Sequence, residues 1–230
     1  MYENKLSGPI PSSFSKMSNL SILSLWEKQL SGDISNSIGN CSKLVVLALD
    51  NNKLSGSVPI ELGKLSLLEE LYLHTNQLES GNIITMPFLV ALTNCSHLQY
   101  LFLHNNKISG VLPLTIGQLS TNFSELSLSN NRVHGNIPPQ IGNLSNLSFL
   151  DLSENLFSGS IPKLLGNLEN LERLNLSNNR LEGNVPRDFK ILQHLGLLDI
   201  SGNILSGKIP NFLAPLKQLR RLHLHHNKLS

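Results

Sequence analysis

Residues Leu147 to Asn170 read Leu-x-x-Leu-x-Leu-x-x-Asn-x-Phe-x-Gly-x-Ile-Pro-x-x-Leu-Gly-x-Leu-x-x, and the rest of the chain repeats this phrase. Further copies start at Leu20, Leu44, Leu68, Leu98, Phe123, Leu171 and Leu195, with partial copies over 1–19 and 219–230. Most steps are 24 residues. A fixed period of this length limits the fold severely, because one unit cannot bury its own apolar face and must stack on its neighbours. Leu150 and Leu152 alternate with polar residues, so they share one face of a short strand. Leu147, Leu156 or Phe157, Ile161, Leu165 and Leu168 turn inward from the rest of the coil. The recurring Leu-x-Leu predicts strands centred on 23–25, 47–49, 71–73, 101–103, 126–128, 150–152, 174–176, 198–200 and 222–224, paired in parallel.

Two polar features complete the unit. Asn155 follows the strand where the chain bends, and its amide can satisfy backbone groups that the bend frees. Copies at Asn4, Asn52, Asn76, Asn106, Asn131, Asn179, Asn203 and Asn227 predict a ladder along the stack. Lys28 replaces one copy and has no acceptor, so the ladder is expected to be weakest there. Gly159-Ser-Ile161-Pro162 supplies a bend open to glycine and a proline that stops a helix from starting early. Its phrase recurs at Gly8–Pro11, Gly56–Pro59, Gly110–Pro113, Gly135–Pro138, Gly183–Pro186 and Gly207–Pro210.

This pattern resembles the plant-specific leucine-rich repeat over essentially all 230 residues. The resemblance implies an α/β repeat solenoid: a right-handed leucine-rich-repeat superhelix with a concave parallel β-sheet, a short second sheet at the Gly-x-Ile-Pro phrase, and short helical or 3-10 convex segments. Residues 1–230 are read as one leucine-rich-repeat domain without caps. Both ends fall inside a repeat and would expose Ile10 and Phe14, or Leu222, Leu224 and Leu229; a piece of a longer protein is the expectation. The Leu68 repeat departs from the template. It runs 30 residues and lacks the Gly-x-Ile-Pro phrase. Pro87 can start a helix there, with Phe88, Leu89, Ala91 and Leu92 at helical spacing. The wording Leu-Thr-Asn-Cys-Ser-x-Leu, then Gly110-Val-Leu-Pro and Leu119-Ser-Thr-Asn, is similar to the branch of plant receptor-like kinases that senses bacterial flagellin, elongation factor Tu and rice bacterial blight.

Composition excludes several classes. A net charge of +2 argues for neither nucleic acid nor a membrane surface. No apolar run reaches transmembrane length, and no signal-peptide pattern is present. Cys41 and Cys95 sit two repeats apart, or about 10 Å from each other, beyond disulfide reach. Both are read as free core residues.

No catalytic constellation, phosphate loop or cofactor motif occurs. Asp151 and Asp199 lie two repeats apart. His223, His225 and His226 cluster beside Arg220 and Arg221, but no cysteine or carboxylate completes a zinc site there, and no metal is expected. Sequons at Asn19, Asn40, Asn94, Asn122, Asn143 and Asn146 are candidate glycosylation sites, although Asn-Leu-Ser is also a by-product of the repeat. A seventh, Asn175, falls on the concave strand and is expected to stay bare.

The residue between the leucines and the two after them should face the concave solvent side. Later repeats place small or polar residues there. The Leu68 and Leu98 repeats instead place Tyr72 and His74 beside Phe102 and His104, with Trp26 further toward the N-terminus. This set is the candidate peptide or protein site, active near pH 6 through its histidines. The competing account is cross-strand packing worth about 0.2–1 kcal/mol. As part of a plant receptor-like kinase or receptor-like protein, the chain would bind a peptide or protein ligand and a leucine-rich-repeat co-receptor on the extracellular face of the plasma membrane or in the cell wall, with any kinase outside it. The alternative is a secreted inhibitor of the polygalacturonase-inhibitor type.

Overall fold

The computed structural model describes residues 6–82 and 84–230. Asn4, expected in the ladder, lies outside the described residues. Short strands from Ile22–Ser24 to Arg221–His223 pair in parallel, each with the next repeat, into one nine-stranded sheet. The apolar positions of all the coils meet in one continuous core running from Ile10 to Leu216. Ile10, expected at an exposed end, is buried, and Leu222 is exposed.

Each concave strand starts one residue earlier than the Leu-x-Leu pattern suggests. Val46–Ala48 stands for 47–49, and Phe149–Asp151 for 150–152. The physical reason lies at the far end of the strand. The chain begins to bend immediately after the second leucine, so that residue keeps only a bond outward: Leu49 N–H donates to Tyr72 O and Leu73 N–H to Phe102 O, both at 2.9 Å. Two residues further on, the backbone enters the left-handed region. Glu27, Asn51, Thr75, Asn105, Asn130, Glu154, Asn178 and His226 all have φ between 50° and 55°. That conformation costs free energy in a residue other than glycine and persists only where the surroundings enforce it.

The asparagine ladder satisfies the backbone groups that the bend frees. Asn155 Nδ2 donates to Leu128 O, Leu152 O and Ser153 O, while its Oδ1 accepts from Val133 N–H. One side chain thus satisfies its own bend and the preceding coil. Asn52, Asn76, Asn106, Asn131, Asn179, Asn203 and Asn227 repeat the arrangement. Lys28 makes no side-chain hydrogen bond among the described residues, so the ladder has its gap where the sequence placed it.

A second layer of parallel strands lies on the residues around Leu-x-Gly, as in Leu156–Ser160, with the glycine in the left-handed region. It is in two pieces. Three strands end at Lys53–Ser55, and six begin at Ser109–Val111. The break coincides with the 30-residue repeat, where only an isolated bridge, Ser57 to Glu79, remains. Convex segments are five-residue 3-10 helices in most repeats. The long repeat has instead an α-helix, Pro87–Leu92, with proline at its start and Phe88, Leu89 and Leu92 turned into the core.

The glycine of Leu-Gly sets how closely the convex segments approach. A Cβ on Gly142 would collide with the Leu164 carbonyl oxygen, and one on Gly117 with the Gln140 carbonyl oxygen. Stacking at this distance leaves no room for a side chain there.

Candidate functional site

Strand alternation puts three columns of side chains on the concave face: the residue before the first leucine, the residue between the two, and the residue after the second. Register aligns Glu70, Tyr100 and Glu125 in the first column and Tyr72, Phe102 and Ser127 in the second. His74 and His104 continue the third. The structure brings four of the five predicted residues together. Tyr72 and Phe102 stack with centroids 5.4 Å apart and planes 17° from parallel. His74 and His104 stack at 4.2 Å and 7°. Phe102 meets both imidazoles edge-on, at 6.3 and 6.0 Å.

Trp26 does not join them. It stands two strands away in the third column, beyond Asp50 and across the strand that carries Ala48. The aromatic pair is also not exposed, as the sequence suggested, but half-buried. A small residue at the same place sinks further: Ser127 is 2% exposed and Ala48 7%.

Sequence reasoning missed the first column. The alternation that puts Tyr72 on this face puts Glu70, Tyr100, Glu125 and Phe149 there as well, and that was the available signal. Phe149 packs against Phe102 at 6.3 Å, which extends the aromatic surface over the small Ser127. Asp50 closes the other end, its Oδ2 3.5 Å from His74 Nε2.

Burial sets the electrostatics of the histidine pair. Burial, then the neighbouring His74, lowers His104 to about 4. Burial lowers His74 too, against the pull of Asp50. His104 is therefore neutral at pH 6. His104 Nδ1 is buried without a hydrogen-bond partner. Tyr72 is raised above the ordinary phenol range, by burial first and the Glu70 carboxylate second.

The remaining candidates fall elsewhere. Asn19, Asn40, Asn94, Asn122, Asn143 and Asn146 are exposed, Asn40 and Asn143 at the ends of convex 3-10 helices and the others in the turns that lead to the concave strands. Asn175 is half-buried in the concave sheet, and its Oδ1 accepts from Ser177 N–H and Oγ–H. Cys41 and Cys95 are free and buried. His223 Nδ1 lies 3.0 Å from Asp199 Oδ2. Among the described residues no three His, Cys, Asp or Glu side chains converge to hold a metal ion, and no helix is long and apolar enough to cross a membrane.

The Leucine Rich Repeat family matches residues 43–65, 97–119, 122–144, 146–168, 170–192 and 194–216. The chain belongs to the leucine-rich-repeat family. The long repeat falls in the gap between the first two matched segments. A receptor-like protein kinase of Arabidopsis thaliana is 58% identical over 65 residues, which is 28% of this leucine-rich-repeat chain and 6% of that protein. The receptor kinase-like protein Xa21 of Oryza sativa subsp. japonica is 43% identical over 63 residues, 27% of this chain and 6% of its own length. The ectodomain of the Arabidopsis receptor kinase HAESA, solved with an extended IDA peptide hormone, superposes with a TM-score of 0.91 at 34% identity. That match covers 99% of this chain and 37% of the HAESA chain. The repeat chain therefore spans a minor part of each of these three proteins.

Proposed function

We propose that this chain is a stretch of the extracellular ligand-sensing region of a plant receptor-like kinase or receptor-like protein, and that its concave face binds a peptide or protein. The observation that carries this reading is the stacked set Tyr72, His74, Phe102 and His104. The inward leucines already bury the core, and neighbouring repeats manage with alanine or serine at the Tyr72 and Phe102 positions. Aromatic side chains held rigid on a long, regular surface are the usual anchors of protein recognition. The receptor kinases among the relatives, and the peptide bound by HAESA, support the same reading. A co-receptor built from similar repeats would complete the joint surface. The six exposed asparagines would carry glycans, away from the concave columns, in the cell wall or at the outer face of the plasma membrane. Phosphoryl transfer would belong to other residues of the parent protein.

The test is a pull-down of apoplastic and microbial peptides by the chain, with the retained peptides identified by mass spectrometry. Tyr72→Ser with Phe102→Ser should reduce retention about tenfold or more, the scale of a binding hot spot. Hydrogen exchange of the complex should protect the strands from 46 to 151. Retention within twofold of the parent chain, with the variant folded, places the site elsewhere.

A further inference from the structure

The concave columns over strands 46–50 to 149–153 carry Asp50, Glu70, Glu125 and Asp151 and no lysine or arginine. The chain as a whole has a net charge of +2, so this acidic stretch does not follow from composition. Its placement relative to the rings is specific. Register sets Tyr100 between Glu70 and Glu125, directly beside the Tyr72–Phe102 stack. Three half-exposed rings thus have a carboxylate on either flank. The nearest arginine on this face, Arg173, pairs with Phe149, a further strand away from Glu125. On the third side burial lowers both imidazoles, and His104, lowered to about 4, supplies no counter-charge near neutral pH.

Aromatic surface attracts cations through the ring quadrupole, and a flanking carboxylate adds a direct Coulomb attraction. Glu125 responds to the setting: burial raises its carboxyl despite Arg173. An acidic ligand group would meet several like charges here, and an apolar one would leave the carboxylates desolvated without a partner.

We infer that the platform of Tyr72, Tyr100 and Phe102 receives a cationic side chain, lysine or arginine, of the bound peptide or protein, with Glu70 and Glu125 as its counter-charges. This deepens, and rests on, the reading of the concave face as a peptide or protein site.

The experiment pans the 230-residue chain against a phage library of random short peptides. The expected pool shares a lysine or arginine at a fixed place. Replacing that residue by an uncharged isostere, citrulline for arginine, weakens binding about tenfold, between the values for an exposed and a desolvated cation on an aromatic face. Glu70→Gln with Glu125→Gln does the same while circular dichroism stays unchanged. Peptides that need Tyr72 and Phe102 but tolerate citrulline overturn the cationic specificity and leave the concave-face reading standing. Selected peptides indifferent to Tyr72→Ser with Phe102→Ser overturn both, as does a library that yields no binder. The citrulline arm leaves the protein untouched, so a folding defect in a variant cannot imitate the result.

Discussion

Asn155 and its copies illustrate how much one side chain can determine. Four backbone groups from two coils depend on its amide. Asn155→Ala leaves all four without it in a buried place, at about 1–3 kcal/mol for a stranded group, some of it recovered by water. A loss of roughly 3–5 kcal/mol is expected, measured by urea unfolding. The converse change, Lys28→Asn, extends the ladder by one rung toward Leu6 N–H and should gain about 0.5–1.5 kcal/mol. His104 gives a pH signature. Its pKa is about 4 in the folded chain and about 6.5 unfolded. Between those values the unfolded chain binds more protons, so stability rises with pH. It should be fully present above about pH 6.5 and decline progressively to pH 4. Melting curves across that range, compared with His74→Asn plus His104→Asn, check the sign: the variant should lose part of the slope.

Between neighbouring repeats, spacing is decided by what the facing segments can tolerate. The Gly142 position admits no Cβ without displacing the Leu164 backbone. Gly142→Ala should cost about 1–3 kcal/mol, since a well-packed contact must open. Gly196→Ala is the control. Its nearest neighbours would be ordinary contacts at 3.6 Å and its φ is not left-handed, so the change should be neutral or stabilise by up to about 1 kcal/mol. The Leu68 repeat follows the same logic in reverse. Without Gly-x-Ile-Pro it cannot place a strand in the second layer, and that layer breaks there. Both facts were legible as an absence in the sequence. The α-helix was legible too, through Pro87 and the apolar spacing after it.

For the whole molecule, burial is uneven along the stack. Inward leucines between Leu98 and Leu198 are fully or almost fully buried, whereas Leu222 is 41% exposed. Opening free energy should track this. Hydrogen exchange is expected to show strong protection between Leu98 and Leu195 and weak protection beyond Leu219, because local opening is easiest where few apolar contacts hold a coil. Uniform protection would contradict the nearest-neighbour account of the stack. The glycan arrangement is a property of the same scale. Expression through a secretory pathway followed by peptide mapping should find sugar on the exposed asparagines and none on Asn175, whose amide oxygen is engaged with Ser177 inside the concave sheet.

The repeat period, the inward leucines, the asparagine ladder and the anomaly at Leu68 are all written in local residue spacing, since each unit contacts only its neighbours and stacking reproduces the same contacts. Spacing could not supply three things. The strands begin one residue early because the chain bends after the second leucine, whose N–H is bonded outward to the next coil. Tyr100, Glu125 and Phe149 join the site because register aligns residues some 25 positions apart, from Glu125 back to Tyr100 and on to Phe149. His74 and His104 are both pushed below the ordinary imidazole range because neighbouring coils bury them side by side. Each depends on how closely separate coils approach, a distance set by the packed core as a whole.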